Sequence, residues 1–382
     1  MVVNIEHNED KQKRKDYSEG NKKQLFPNKK YLLLSFLVIS LVVLSGCLDN
    51  FFFSSKTIYE SSPTQVSYKI TYGYQIKTTG TGVATVNYRE YVPQGRNATI
   101  YFISLQPENQ YVTQKNRNKL VVWNETIEHE DNHSFSVSAH IIQDSIIIAD
   151  LSGGKSLTIP EIHSNYPNIT ADYTHVLGNK TRSIVDPLHP PIVQTVHTIK
   201  NKSSTDNAFL LGKELFSWLK NHTRYEQHAS SQPQPAIVTY ETGVGDCDDL
   251  TYLYLSLCRA AGLPSRYVKG YLVSNTSAVA HIWAEIFVGK EITQDGWIPV
   301  ECAGTSSYPS EIHNHFGIEE ADHLRLCVDD GTNETFIQLT HPIHVRYEPS
   351  MNVNISRFES TKNFNILSSK ELIIEENYRY YE

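Results

Sequence analysis

Cys247 is the residue of this sequence with the clearest potential for nucleophilic chemistry. It lies in the stretch GVGDCDDLTYLYLSLCRAAGLP, where two glycines precede it and a helix-forming run follows. We expect that helix to run from about Asp246 to Ala261. A helix N-terminus lowers the pKa of a thiol and offers N–H groups to an oxyanion. The neighbouring aspartates Asp246, Asp248 and Asp249 act against this, because negative charge disfavours a thiolate.

Two predicted strands downstream supply a histidine and a carboxylate. AHIWAEIFV and GWIPVEC each follow the two-residue period of a strand, and the polar loop GKEITQDG between them starts and ends with glycine, which predicts a hairpin. Pairing about residue 291, the midpoint of the two positions, would place His281 directly opposite Glu301, with Cβ atoms about 5 Å apart. A register shift of one residue would move them to opposite faces of the sheet.

These three side chains are complementary in chemistry. A base beside a thiol takes its proton, and a carboxylate on the other ring nitrogen fixes the tautomer and stabilises the imidazolium. We therefore predict Cys247 as nucleophile, His281 as base and Glu301 as orienting carboxylate. The alternative is a polar cross-strand pair without functional weight. Tyr240, seven residues before the cysteine, is predicted to lend its hydroxyl to an oxyanion, and Trp283 to line the cleft or the core.

Residues 205–303 resemble the transglutaminase-like superfamily, which has a papain-related fold. The resemblance rests on GVGDCDDLTYLYLSLCRAAGLPSRYVKGYLV, then AHIWAEIFV, then GWIPVECAG. It implies the same roles for Cys247, His281 and Glu301. The third position departs from the family pattern, which usually has Asp, and Glu is one methylene longer. Since the superfamily includes protein cross-linkers, proteases, amidases and inactive scaffolds, the resemblance does not name a substrate. The partner that we predict is a peptide or protein substrate.

The elements around this site indicate an α+β fold. Alternating strands from about Gln65 to Leu151 predict an all-β, sandwich-like domain at residues 63–155. Residues 156–204, rich in Pro, His and Asn, are predicted as a linker. A helix from Asp206 to Lys220, the Cys247 helix and three antiparallel strands then form the transglutaminase-like domain at 205–345. Residues 346–382 are weakly β-like and are predicted as a C-terminal extension.

The N-terminal segment has the features of an export signal. Residues 1–30 form a basic leader, and residues 31–47 are an uncharged apolar run ending in small residues before Cys47, which is typical of a signal or membrane segment. The end of this run resembles a prokaryotic lipobox, in which Cys47 would be lipidated. An uncleaved signal anchor is the alternative. Both interpretations place residues 48–382, which begin with a tether at 48–62, outside the cytoplasm at a cell membrane.

Other features narrow the class of protein. Ten N-x-S/T sequons all follow the apolar run, which suggests glycosylation. The net charge is −8 and the leader is positive, so the acidic remainder argues against a nucleic-acid partner. The five cysteines show no C-x-x-C spacing, and we predict no metal and no cofactor. Two of Cys258, Cys302 and Cys327 could form a disulfide, or all three could be reduced. The oligomeric state is not predicted.

The sequence thus leaves three functions open. The first is a membrane-anchored extracytoplasmic cysteine enzyme that acts on peptide or envelope amides through a thioester, as a protease, amidase or cross-linker. The second is an inactive binding or surface-architecture module, which the Glu301 departure and the aspartates beside Cys247 favour. The third is a structural protein in which Cys247 is held in a disulfide.

Overall fold

The computed structural model describes residues 57–178, 181–227, 233–304, 312, 314–340, 342–375 and 377–382. The predicted leader at 1–30, the apolar segment at 31–47 with Cys47, and part of the tether lie outside the described residues. Lys56–Glu382 forms one compact unit. Within the described ranges, no helix combines the length and apolar character that crossing a bilayer requires.

Strands make up most of the described chain. They are β1 Thr57–Gly80, β2 Val83–Tyr91, β3 Ala98–Gln106, β4 Tyr111–Thr113, β5 Lys119–Glu128, β6 Asp131–Asp144, β7 Ile146–Ile147, β8 Leu177–Gly178, β9 Ser183–Val185, β10 Arg224–Tyr225, β11 Val244–Gly245, β12 Ser265–Val273, β13 Ala278–Phe287, β14 Trp297–Val300, β15 Ile318–Glu319, β16 His323–Val328, β17 Ile343–Tyr347, β18 Met351–Glu375 and β19 Tyr378–Tyr381.

Two antiparallel sheets form the β-rich part of the molecule. One has the strand order β19-β18-β1-β6-β3 and the other β17-β2-β5-β4. Alternate side chains of both sheets enter one shared core, where Tyr72, Tyr88, Trp123 and Phe135 are buried. This arrangement is that of two sheets packed face to face. The predicted β-rich region is therefore confirmed, and sandwich-like packing accounts for its alternating sequence.

The C-terminal residues belong to the first of these sheets. β18 pairs antiparallel with β1, from Met351 opposite Gly80 to Ile374 opposite Thr57. Most β18 side chains are exposed or half-buried, so the strand needs few apolar residues and its sequence shows little alternation. The residues predicted as an extension at 346–382 thus supply a full-length strand beside the first strand of the described chain.

The helices surround a third sheet. They are α1 Ile159–Asn165, α2 Pro167–Tyr173, α3 Pro190–Ser203, α4 Ala208–His222, α5 Ala236–Thr242, α6 Cys247–Ala260 and α7 Asn333–Thr340. The sheet has the order β14-β13-β12-β16, and its strands are antiparallel. In α6 every residue from Asp249 to Arg259 is buried, so α6 is the central helix against which this sheet packs. The α+β fold class is confirmed.

Residues 156–204 differ from the predicted linker, because they hold α1, α2 and α3. Thr158 and Glu161 form a capping box at the start of α1, with the Thr158 N–H donating to Glu161 Oε2 at 2.8 Å. Pro190 and Pro191 occupy the first turn of α3, where a missing N–H costs nothing. The prolines of this segment therefore mark helix starts instead of irregular chain. The predicted division into domains stays a prediction.

Candidate active site

Cys247 is the first residue of α6, as the sequence predicted. Asp246 caps the helix, and its N–H donates to Asp249 Oδ2 at 3.3 Å in a capping box. Gly245 permits this turn, since a Cβ there would lie 2.6 Å from the Asp249 Cβ. Cys247 is half-buried, and it is free of any disulfide. The N-terminal N–H groups and the dipole of α6 are therefore directed toward the thiol.

Helix α6 holds the thiol against β13. The backbone N–H of Ile282 hydrogen-bonds to Cys247, which favours the thiolate. Thr251, one turn further along α6, donates its hydroxyl to the Ile282 carbonyl at 3.4 Å. Because Ile282 directly follows His281, these contacts bring the thiol beside the residue predicted to be its base.

The predicted pair of His281 and Glu301 forms, with His281 Nε2 2.7 Å from Glu301 Oε2. The predicted register, however, is wrong. Ala284 lies opposite Val300 and Phe287 opposite Trp297, so the centre of pairing is one residue beyond 291. Each residue of β13 therefore lies opposite a residue two positions further along the chain than predicted. A shift of two keeps side chains on the same face. Glu301, which follows the last residue of β14, reaches His281 diagonally.

Glu301 is fixed at both carboxylate oxygens. Oε1 accepts the N–H of Ala303 at 2.7 Å, and the Glu301 N–H donates to the His315 carbonyl at 2.8 Å. Lys220 of α4 donates to the carbonyls of Cys302 and Ala303. Burial would raise the pKa of Glu301, but His281 and a second histidine hold it well below its ordinary value. Glu301 is therefore held as an oriented carboxylate, although its side chain is one methylene longer than that of Asp.

The second histidine is His323 at the start of β16, a residue that the local sequence pattern does not connect with the site. Its Nε2 lies 3.1 Å from Glu301 Oε2, and its Nδ1 lies 2.7 Å from Asp322 Oδ1. Burial alone would lower the pKa of His323, but these two carboxylates raise it well above its ordinary value. Glu301 is thus held between two imidazoles.

Gly270 makes this approach possible. It lies on β12 opposite His281 of β13. A Cβ at this position would collide with the backbone carbonyl of Leu324 on β16. Because glycine has no side chain there, β16 can pack closely against β12 and bring His323 to the site. No local pattern reveals this contact, since β16 follows β14 by more than twenty residues and joins the far side of β12.

The charge on His323 predicts a pH dependence of stability. An unfolded histidine has a pKa of about 6.5. Because the folded pKa is higher, the stabilisation is complete below about pH 6.5 and is lost as the pH rises through the folded pKa. We expect His323→Gln to lower the free energy of unfolding by about 1–3 kcal/mol near pH 6 and by less near pH 9, as measured by urea titration. Exposed His344→Gln should match the wild type, and an equal loss at both pH values would contradict the assignment.

Trp283 and Tyr240, the two residues predicted to assist the site, have different partners in the structure. Trp283 is buried, stacks beside His281 with ring centroids 6.0 Å apart, and donates its indole N–H to Glu319 Oε2 at 3.0 Å. Its N–H is thus bound to a carboxylate, and its ring packs beside His281. Tyr240 shares a 3.0 Å hydrogen bond between its hydroxyl and that of Thr195. Its oxyanion role stays a prediction.

Tyr225 is a further residue of the site that sequence reasoning missed. It lies on β10, opposite Gly245 of β11, and is partly exposed. Burial raises the pKa of its phenol, and Cys247 and the surrounding carboxylates raise it further. The phenol therefore lies within electrostatic reach of the thiol. It is positioned by a two-residue parallel pairing, which has too few residues to leave a pattern in the sequence.

Acidic side chains lie close to the Cys247 thiol. Burial, together with the charges of Asp248 and Asp246, raises the pKa of Cys247 to about 12, against the Ile282 N–H that lowers it. Burial, together with the hydrogen bond and charge of Asp246, raises the pKa of Asp248 to about 9. The resting site therefore holds a neutral thiol, and a nucleophile would arise only when a base removes the proton during attack.

Asp248→Asn tests this electrostatic effect. Near pH 7 Asp248 is protonated, so the variant should be alkylated at Cys247 at the wild-type rate. Above about pH 9 the wild type gains a negative charge that the variant lacks, so we expect the variant to react severalfold faster with iodoacetamide. Surface-exposed Asp206→Asn is the matched control and should follow the wild type throughout. A variant that reacts no faster than the wild type above pH 9 would contradict the assigned repulsion.

Buried ion pairs hold β13 in place behind the site. Glu285 is fully buried and accepts hydrogen bonds from Arg96, from Arg266 at 2.7 Å and from Arg325 at 2.7 Å. Burial would raise the pKa of Glu285, but these three guanidinium groups hold it well below its ordinary value. Because a buried charge is costly unless it is paired, this cluster fixes the strand that carries His281.

The donor atoms of His281, Glu301 and His323 lie within 4.8 Å of one another and could hold a metal ion. Direct hydrogen bonds at 2.7 and 3.1 Å, however, already join both rings to one carboxylate oxygen. A ligating imidazole must also be neutral, whereas the raised pKa of His323 favours its charged form. The arrangement therefore fits a hydrogen-bonded triad better than a metal centre.

The fold and the site together define a transglutaminase-like region. Residues 195–302 match the family described as the transglutaminase-like superfamily, which confirms the resemblance seen in the sequence. The match covers residues 195–302, and for this stretch the chain is similar to that superfamily. No curated protein matches the chain.

Several solved structures are similar. A protein of Cytophaga hutchinsonii, provisionally described as a cysteine protease, is 13% identical with a TM-score of 0.49, over 81% of this chain and 100% of its own. The periplasmic domain of TgpA from Pseudomonas aeruginosa is 10% identical with a TM-score of 0.33, over 63% of this chain and 90% of its own.

Proposed function

We propose that this protein is a cysteine enzyme that transfers acyl groups from peptide or cell-envelope amides. The observation that carries the proposal is the 2.7 Å hydrogen bond between His281 and Glu301 beside a thiol at the N-terminus of α6. Since Nε2 of His281 is bonded to the carboxylate, Nδ1 is the ring nitrogen that can take the thiol proton. The transglutaminase-like match agrees with a peptide or protein substrate.

The reaction would proceed in two steps. In the first, the Cys247 sulfur attacks the amide carbonyl carbon while His281 takes the thiol proton, and the N–H groups of α6 stabilise the oxyanion. The C–N bond then breaks, the imidazolium returns its proton to the leaving nitrogen, and a thioester remains. In the second, water or an amine attacks the thioester with His281 as base and restores the thiol. Water makes the protein a protease or amidase, and an amine makes it a cross-linker.

We further propose that the enzyme works outside the cytoplasm, anchored to the cell membrane through residues 31–47. The apolar run, its basic flank and the ten sequons after it support this placement. The mass of the mature chain separates the two forms of the anchor. A chain that begins at a lipidated Cys47 indicates a lipoprotein, whereas an intact N-terminus indicates an uncleaved signal anchor.

An inactive binding or architecture module is the second candidate. The observation that favours it is the pKa of Cys247, which burial and two aspartates raise to about 12. A thiol with this pKa reacts only if a neighbouring base assists it. The two candidates thus differ in whether His281 acts on the thiol.

Alkylation of the full chain by iodoacetamide at neutral pH tests this difference. Cys258, Cys302 and Cys327 are buried, so selective labelling of Cys247 can follow from exposure alone, and its dependence on His281 is the informative result. We expect His281→Gln to slow labelling of Cys247 about tenfold or more. Equal rates in the variant and the wild type would favour the module and contradict the enzyme.

A further inference from the structure

A cavity of about 50 Å³ lies away from the thiol, among β1, β2, β12 and β18. Its polar lining consists mainly of cationic and phenolic side chains: Arg89, Glu90, Tyr91, Lys269, Tyr271 and Arg357. Three of these residues carry a positive charge and one carries a carboxyl group. A water molecule needs about 10–15 Å³ measured in this way, so the cavity has room for one small polyatomic group but not for a peptide.

Two polar groups of this lining lack a partner of matching chemistry. The Tyr91 hydroxyl is buried and has no oxygen or nitrogen partner in the described part of the chain. Its neighbour is the thiol of Cys327, a weak hydrogen-bonding group. The Arg89 guanidinium is in no ion pair or side-chain hydrogen bond with the described residues, although its backbone N–H donates to Pro342. Buried hydroxyls normally have partners, and the half-buried Arg89 is free to pair with a group that enters the cavity.

Cationic side chains outnumber carboxyl groups in this lining. Burial raises the pKa of Glu90, whereas the hydrogen bonds from Tyr88 and Tyr91 and the charges of Arg357 and Lys269 lower it. Burial lowers the pKa of Lys269, and the nearby Arg357 lowers it further. Arg357 donates to the Tyr271 hydroxyl at 2.8 Å, and its Nε lies 3.7 Å from Glu359. Clustered cations of this kind would be stabilised by a negative charge placed between them.

We propose that this cavity binds a small oxyanion, either a carboxylate or a phosphate group. The guanidinium groups of Arg89 and Arg357 and the ammonium of Lys269 supply the charge, and the Tyr91 hydroxyl donates a hydrogen bond. Hydrogen bonds to charged groups are the strongest that neutral donors make. β12 carries both Lys269 and Gly270, and Gly270 lies opposite His281, so the anion would bind behind the strand that adjoins the base.

Calorimetric titration of the full chain, purified in mild detergent, tests the proposal. Sodium acetate and sodium phosphate are titrated separately at constant ionic strength, with sodium chloride as the reference. We expect saturable binding of at least one oxyanion, and the two titrations identify whether the site prefers a carboxylate or a phosphate. Arg89→Gln should weaken that binding about tenfold to a hundredfold, because a charge-assisted contact is lost.

Two further variants separate binding from folding. Tyr91→Phe removes only a hydroxyl that lacks an oxygen or nitrogen partner, so we expect an unchanged melting temperature without anion and an affinity lowered about fivefold or more. Arg117→Gln removes an exposed arginine elsewhere and should bind like the wild type. Absence of saturation by either oxyanion at millimolar concentration, or wild-type affinity in both Arg89→Gln and Tyr91→Phe, would overturn the proposal.

Discussion

Cys247→Ala should remove acyl transfer by this protein, with a loss on the order of 10,000-fold or more in kcat/KM. The substitution deletes the sulfur that is hydrogen-bonded by the backbone of Ile282, the residue after His281. Alanine is a good helix former, and the position is only half-buried. We therefore expect α6 and the fold to persist. Ammonia release from a glutamine-containing peptide, and incorporation of a fluorescent primary amine into it, are the measurements.

Cys258→Ala is the matched control for this prediction. It makes the same substitution at the buried end of the same helix, so it should lower stability somewhat and leave the activity of the folded protein near that of the wild type. If Cys247→Ala retained full activity with both acceptors, the thioester mechanism would be wrong. If both variants lost activity in parallel with loss of folded protein, the loss would follow from instability and the nucleophile assignment would fail.

His281→Gln should lower kcat about 100-fold to 10,000-fold with little change in KM. Glutamine can still donate a hydrogen bond to Glu301, so the carboxylate and the surrounding loop should keep their positions. It cannot take a proton, and the thiol, whose pKa is raised to about 12, would then have to ionise unaided. Because the base acts only in the transition state, the loss should appear in kcat.

The matched control is His344→Gln, which alters an exposed histidine on β17 and should leave kcat unchanged. Retention of more than about a tenth of wild-type kcat would argue that another group deprotonates the thiol.

Local patterns were sufficient to locate the candidate site. The polar turn before a long apolar run placed Cys247 at a helix start, and two-residue alternation placed His281 and Glu301 on one face. The centre of the hairpin was misplaced by one residue, because the polar loop does not show where pairing ends. The prediction that His281 pairs with Glu301 still held, because this error moves each partner by two residues and leaves both side chains on the same face of the sheet.

The remaining parts of the site depend on contacts between distant segments. His323 reaches Glu301 only because β16 pairs with β12, which needs glycine at position 270. Tyr225 is brought near Cys247 through the short pairing of β10 with β11, in which it lies opposite Gly245. Neither pairing leaves a periodic signal in the chain. A rule based on local propensity therefore locates the candidate nucleophile and the candidate base but misses the groups that contact them from distant segments.

Two segments, residues 156–204 and 346–382, contain secondary structure that the sequence did not lead us to expect, for different reasons. The segment Thr158-Ile-Pro-Glu161 contains a capping-box signal that could have been read, but the prolines and histidines around it suggested irregular chain. For β18, no comparable signal existed, because a long strand with mostly exposed side chains resembles an extended polar tail. Its assignment depends on β1, which lies almost three hundred residues earlier and provides the hydrogen bonds.

Trapping of the acyl-enzyme is the most direct test of the central claim that Cys247 is a nucleophile served by His281 and Glu301. The full chain is mixed with p-nitrophenyl acetate at neutral pH, quenched in acid, and digested for mass spectrometry. We predict a burst of nitrophenolate matching the enzyme concentration and a single acetyl group on Cys247, formed at least about 100-fold more slowly in His281→Gln. Absence of the burst, or acetylation of Cys247 at the same rate in the variant, would contradict the claim.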